Sequence, residues 1–339
     1  MRRSLALLLL TGSLALGGCS RLAGLPEVPA DLTAEETGVA GLDHCAAVAS
    51  QLVRPLDPDE AAAFEAAPPD DPFEKARWAL HLWSAERDGA GALQWFGEAV
   101  VAEPTDLVLG NRYRMLVYEM KRSFFDEARR EGRRNPELPE HLSEVPFALL
   151  EAVADSDPGR EIELQIALAY VDRMILYPAL EIKAPASIDS VRRLSAILDG
   201  GDPHYIPALF ARGLNYLHRP RNLVWPEKPA PAPDAASRDL GLAAAAGAKV
   251  GGAPPRLRAI VLITLGDAYA REGHPGVARS WWAAARELVD SPDLLESIAL
   301  RMSWPDGQVA DRLEAHLATQ MADRLHPASD LSFLWSDGS

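Results

Sequence analysis

From Leu262 onward the chain spaces small and aromatic residues as a pair of tightly crossed helices requires. Leu262, Leu265, Gly266 and Tyr269 recur at helical intervals, Arg271-Glu272-Gly273-His274-Pro275-Gly276 makes a turn, and Ala278, Trp282 and Ala285 follow before Pro292 closes the unit. Gly266 and Ala278 lack the bulk that would hold two helices apart, while Tyr269 and Trp282 fill the space between them. An earlier stretch repeats the scheme with Trp83 in the tyrosine position, a turn at Asp88-Gly89-Ala90-Gly91, then Ala92, Phe96, Ala99 and Pro104. It departs at the leucine-glycine pair, where Ala79 and Leu80 put a larger side chain at the tightest point.

This order of residues resembles the tetratricopeptide (TPR) repeat, whose pattern W-x2-L-G-x2-Y, A-x3-F, P extends over about 34 residues. The resemblance implies an all-α fold, an α-α superhelix of TPR-like helical hairpins with long inserted loops across residues 41–326, each pair completing its neighbour's core. Long stretches rich in Ala, Leu, Glu and Arg agree with it, and strand-like alternation is scarce. The period breaks between the two copies. Residues 211–217 place Gly213 and Tyr216 as a first helix would, but the partner at 235–246 arrives only after His218-Arg219-Pro220 and a proline-rich insertion. Residues 162–177 end at Tyr177-Pro178, and a loop through Pro185 is expected before a second helix at 188–198. Residues 107–130 and 142–154 read as further helices around a charged linker at 131–140. A helix at 308–325 is expected to cap the array, and residues 327–339 to form a disordered tail.

The N-terminus is the other strongly patterned segment. Arg2 and Arg3 precede an apolar run over residues 5–16, and Gly17 and Gly18 lead into Cys19. The run is shorter than the roughly 20 apolar residues of a membrane-spanning helix, so residues 1–18 read as a cleaved export signal. Leu16-Gly17-Gly18-Cys19 resembles the lipobox of bacterial lipoproteins, which implies that Cys19 carries lipid. Each buried methylene contributes about 0.8 kcal/mol, so several chains on one cysteine make a lasting anchor. Ser20, rather than an aspartate, implies by the same resemblance an outer-membrane lipoprotein whose body faces the periplasm. Residues 19–40 mix Pro, Gly, Ala and acids without a sustained apolar period, as a flexible tether would.

Thirty-four basic and 49 acidic residues give a net charge of −15, which opposes association with phosphate backbones, so nucleic acid is not an expected partner. With Cys19 lipidated, Cys45 has no intrachain disulfide partner and reads as a small apolar residue, since no motif supports a reactive thiol beside His44. GxSxG, GxxxxGK[ST], HExxH and CxxC are all absent and the eight histidines are scattered. No cofactor or metal is expected, and no motif argues for an enzyme. Asp199, Asp202 and His204 flank Gly200-Gly201 as a metal loop might, but a helix end at Gly200 followed by an Asp-Pro helix start accounts for them.

The first-helix positions that face the groove in tetratricopeptide proteins are matched here by Arg77 and His81, by Asn215, and by Asp267 and Arg271. These do not reproduce the Lys/Asn set that grips a peptide carboxylate. Arg219, Arg221 and Trp225 lie in a proline-stiffened loop that could grip a partner or an anion, or equally pack Trp225 over helix ends. The resemblance implies a membrane-anchored envelope scaffold that binds another protein or a peptide. Two alternatives stand beside it. One is an accessory lipoprotein similar to the T component of tripartite periplasmic transporters, with a small ligand. The other is an envelope hydrolase, which predicts a deep pocket of converging titratable groups.

Overall fold

The computed structural model describes residues 25–133, 136–177, 180–219, 230–322 and 329–335, and its regular structure is helical throughout. The chain opens with α1 (Ala34–Thr37), α2 (Leu42–Leu52) and α3 (Pro58–Ala66), then pairs α4 (Pro72–His81) with α5 (Gly89–Ala102). The long α6 (Leu107–Arg130) is followed by α7 (Val145–Ser156), and α8 (Arg160–Leu176) pairs with α9 (Leu180–Asp199). Two further pairs are α10 (Ile206–His218) with α11 (Ala235–Val250) and α12 (Pro255–Arg271) with α13 (Pro275–Arg286). The series ends in α14 (Pro292–Met302) and α15 (Val309–Ala322). Aspartates start many of these helices: Asp71 accepts from the amides of Phe73 and Glu74, each at 3.0 Å, just ahead of Pro72.

Packing within the pairs α4/α5, α8/α9, α10/α11 and α12/α13 is the most extensive in the molecule. Helices α4, α6, α8, α10 and α12 also touch one another in turn, forming one continuous face. The α12/α13 crossing shows what the close approach demands. A methyl group added at Gly266 would stand 2.4 Å from Trp282 Nε1 and 3.0 Å from the Ala278 carbonyl oxygen, and Trp282 is completely buried. At the α10/α11 crossing, a Cβ on Gly213 would lie 2.7 Å from Leu240 Cγ.

At the α4/α5 crossing no glycine is present, and the local helix geometry differs. Residues Leu82–Glu86 form a single π-helical turn, ended by Arg87 in the left-handed conformation at φ 60°. The extra residue in that wide turn rotates the preceding helix by about one residue's angle, roughly 100°. Ala79 is consequently fully buried and Leu80 only partly so, which relieves the mismatch expected from the sequence.

Four expectations are corrected. Residues 25–40 are not a tether: Thr33 and Glu36 make a capping box, Thr37 and Val39 are buried, and Gly38 at φ 71° passes so close to Tyr205 that a Cβ would clash with its ring. Arg160 fixes this segment by donating to the Glu35 carbonyl while pairing with Asp202 at 2.6 Å and lying 4.4 Å over the Tyr205 ring. Second, the loop expected through Pro185 is helix. Pro185 lies inside α9, where the burial of Ala186, Val191 and Leu194 outweighs one forfeited backbone hydrogen bond. Third, α15 does not cap the end of the array. It folds back onto α12 and α10, burying Val309, Leu313 and Leu317. The tail expected to be disordered is packed where it is described: Ser329, Leu331, Leu334 and Trp335 are buried.

Gly266→Ala is expected to lower the unfolding free energy by about 2–3 kcal/mol, since neither the indole nor the Ala278 backbone can yield 0.5 Å or so without repacking. Gly276→Ala in α13, where nothing lies within 4 Å, should be neutral or stabilise by up to about 1 kcal/mol. Urea denaturation of the two variants measures the contrast.

Candidate functional site

Of the residues matched to groove positions, Arg77, Asn215, Asp267 and Arg271 tie one helix to another, while His81 packs within its own helix. Arg77 pairs with Glu60 at 3.2 Å, and the same carboxylate holds Arg54 at 2.7 Å, which fastens α3 to α4. His81 stacks on Trp78, ring centroids 5.4 Å apart. Asn215 is buried and accepts from the Ser187 hydroxyl at 2.8 Å, linking α10 to α9. Asp267 is buried in a two-pronged pair with Arg301 of α14, at 2.7 and 2.8 Å, and accepts from Trp282 Nε1 at 3.0 Å. Breaking one side of such a pair strands a charge in the core and costs about 3–5 kcal/mol.

Arg271 is a second tie. Its guanidinium meets Glu314 of α15 at 2.7 Å and donates to the carbonyls of Tyr216, Leu217 and Arg219, the orphaned acceptors at the end of α10. Arg219 and Arg271 are thus brought together, beside a cleft of about 550 Å³ that Tyr216, Asp234, Glu272 and His274 also line. Arg221 and Trp225 lie outside the described residues, as do Cys19 and the leader. Cys45 is half-buried, and burial reinforced by Asp106 pushes its thiol up to about 11, which keeps it protonated and unreactive at neutral pH.

Sequence reasoning missed the densest polar cluster, which lies on the face formed by α6, α8, α10 and α12. Arg114 is buried on α6 and spans to α8, donating to Asp172 at 2.7 Å and Gln165 at 3.1 Å. It also donates to Asn111 Oδ1 at 2.9 Å and to the backbone carbonyl of Ser329. Asn111 completes the grip: its Nδ2 donates to Asp330 at 2.9 Å and its oxygen accepts the Leu331 amide at 3.0 Å. The Ser329 hydroxyl donates to Asp172. Beyond these polar contacts, Phe333 packs on Phe210 of α10 at 5.0 Å, and the turn Ser332–Leu334 rests on α12. Residues 329–335 therefore lie as a short peptide across four helices.

On the other side of Asp172 is a cavity of about 30 Å³, lined by Tyr113, Lys121, Asp172 and Arg173. It has room for a water molecule and none for a substrate. Burial, reinforced by Arg173, pulls the Lys121 ammonium down to about 8, and its Nζ donates to the Ser143 carbonyl at 3.4 Å. Burial pushes the Asp172 carboxyl up, against the opposing pull of Arg114. The signal for this cluster is in the sequence: Asn111, Arg114, Tyr118 and Lys121 recur at helical spacing within the apolar face of α6. What it pairs with, 51 and 58 residues further on, is not. Among the described residues no group of His, Cys, Asp and Glu is arranged to hold a metal, and no helix is long and apolar enough to cross a membrane.

His218 sits beside the Arg271 hub. Burial, with the charges of Arg271 and His316, pulls its imidazole from 6.5 down to about 4. The folded state therefore holds it neutral while the unfolded chain takes up a proton, so stability falls as pH drops from 6.5 toward 4. His218→Gln is expected to remove about 2 kcal/mol of that acid sensitivity, read as a smaller loss of urea-unfolding free energy between pH 7 and pH 4 than in wild type. No family model, curated protein or solved structure matches this chain.

Proposed function

We propose that this chain is a lipid-anchored scaffold of the bacterial envelope, built of TPR-like helix pairs, that binds an extended segment of a partner protein on the face formed by α6, α8, α10 and α12. The observation that carries it is that this face already holds a seven-residue segment, partly turned at Ser332–Leu334, through side-chain hydrogen bonds to its backbone and apolar contacts, a mode by which folded proteins read peptides. The repeat character is supported by Gly213 and Gly266, each at a closest helix approach and each three residues before a tyrosine. The basic residues, apolar run and Leu16-Gly17-Gly18-Cys19 at the N-terminus support export and lipidation.

With the chain packed from Leu25 onward, residues 19–24 can reach about 20 Å at full extension. The body would therefore be held close to the lipid surface, with the edge carrying residues 25–40 toward it. A partner would have to be another envelope protein within that reach.

The test has two arms. Wild type labelled with a palmitate analogue should fractionate with outer membranes, while Cys19→Ala should lose the label and the membrane association. Capture from detergent-solubilised envelope, repeated with Arg219→Glu/Arg221→Glu and with Asn111→Ala, should recover a common protein whose yield falls with Asn111→Ala. Soluble wild-type protein, or an identical capture profile for all variants, refutes the reading.

A further inference from the structure

The C-terminal residues that occupy the α6/α8/α10/α12 face make an unusual set of contacts for a structural tail. The clamp reads backbone twice, at the Ser329 carbonyl and the Leu331 amide. It reads only two side chains by hydrogen bonding, the Ser329 hydroxyl and the Asp330 carboxylate. Three apolar side chains, Leu331, Leu334 and Trp335, are buried, and Phe333 lies on Phe210. A backbone grip with a few side-chain pockets is how a site recognises a short segment rather than a fold.

The receiving side is built without help from the tail. Arg114 donates to both Asp172 and Gln165 across α6 and α8, and to Asn111 on its own helix. With residues 329–335 seated, all four are more than nine-tenths buried. Withdrawal of residues 329–335 would leave that set aligned but short of partners, a penalty that only another polar ligand or water relieves. Gln165 Nε2 is buried with no acceptor even with the tail seated, so the site carries one donor that this segment does not use.

We propose that Asn111, Arg114, Gln165 and Asp172 form a peptide-recognition site which residues 329–335 occupy in cis as a pseudo-ligand, and that a partner's short segment of the order hydroxyl, acid, apolar, any residue, aromatic, apolar, aromatic, able to adopt the same turn, displaces them. This rests on the binding-protein reading above and adds the ligand's chemistry and a regulation. The tethered segment competes at an effective concentration on the order of millimolar. A free peptide of equal intrinsic strength is therefore excluded, and only a segment that binds more tightly, or is displayed at comparable density on the same membrane, gains the site. The spare Gln165 donor offers one route to tighter binding.

The test uses the full mature chain with Cys19→Ser, and a fluorescent peptide of the sequence Ala-Ser-Asp-Leu-Ser-Phe-Leu-Trp-Ser read by anisotropy. The double variant Leu331→Asp/Phe333→Asp, which weakens the cis segment, should bind the peptide at least about tenfold more tightly than wild type, and a scrambled peptide should not bind. Adding Asn111→Ala should abolish the gain. In wild type, hydrogen exchange should show the amides of 331–335 opening at least about tenfold faster than those of α6 and α8, the signature of release without unfolding. The proposal is overturned if the double variant melts cooperatively yet binds no better than wild type. It is equally overturned if the tail amides exchange only with the core, or if the double variant loses its cooperative melt, since the segment is then part of the fold. Failure here with an Asn111-sensitive envelope partner still captured would sink the pseudo-ligand and leave the binding reading intact.

Discussion

Close contact between the two helices of a pair is the constraint on which the rest of the molecule depends. Gly266 leaves room for the Trp282 indole against its backbone, and Gly213 for the Leu240 side chain, so large residues can be sunk between the helices without leaving voids. Each closely crossed pair then behaves as a stiff unit with two exposed flanks. The flanks are covered by the next pair, and the main core that results runs from Val39 to Trp335, with a smaller cluster of Met115, Tyr118, Ile175 and Leu176 between α6 and α8. Direct packing of α6 on α8 sets the spacing at which Arg114 and Asp172 meet.

Charge plays a structural part that the net value of −15 conceals. Arginines repeatedly bridge elements that apolar packing alone would leave free to slide: Arg77 to Glu60, Arg212 to Asp239 across α10 and α11, Arg271 to Glu314, and Arg301 to Asp267. A planar guanidinium fork fits a carboxylate in few orientations, so such pairs set register more than they add net stability. The same logic explains why positions matched to a ligand groove proved to be internal ties. Residues 25–40 run along the edge near Tyr205 and residues 329–335 across the face, so both segments cover the helices.

Much of the architecture was legible because it is local. The helix at 107–130 coincides with α6, and the spacing of Gly266, Ala278 and Trp282 named a real contact. What escaped was non-local or aperiodic. Ser329–Trp335 is too short to show a period, and its hydrogen-bond partners lie 157 to 220 residues upstream, so nothing in its own sequence distinguished a docked peptide from a frayed end. Pro185 was read as a helix breaker because the packing that overrides it belongs to α8. Asp267 and Arg271 were assigned outward because a motif gives a position on a helix but not what a later helix, here α14 or α15, lays against it.

The wide turn at Leu82–Glu86 has a consequence for how such a chain tolerates change in length. The wide turn holds one residue more than a regular helical turn while Ala79 stays fully buried and the next helix still starts at Asp88. Counting residues between landmarks therefore misjudges this pair as degenerate although its contact surface is whole. Divergent copies of a helical hairpin can accumulate single insertions and deletions at such places, and drift out of reach of any fixed-spacing signature while keeping their shape.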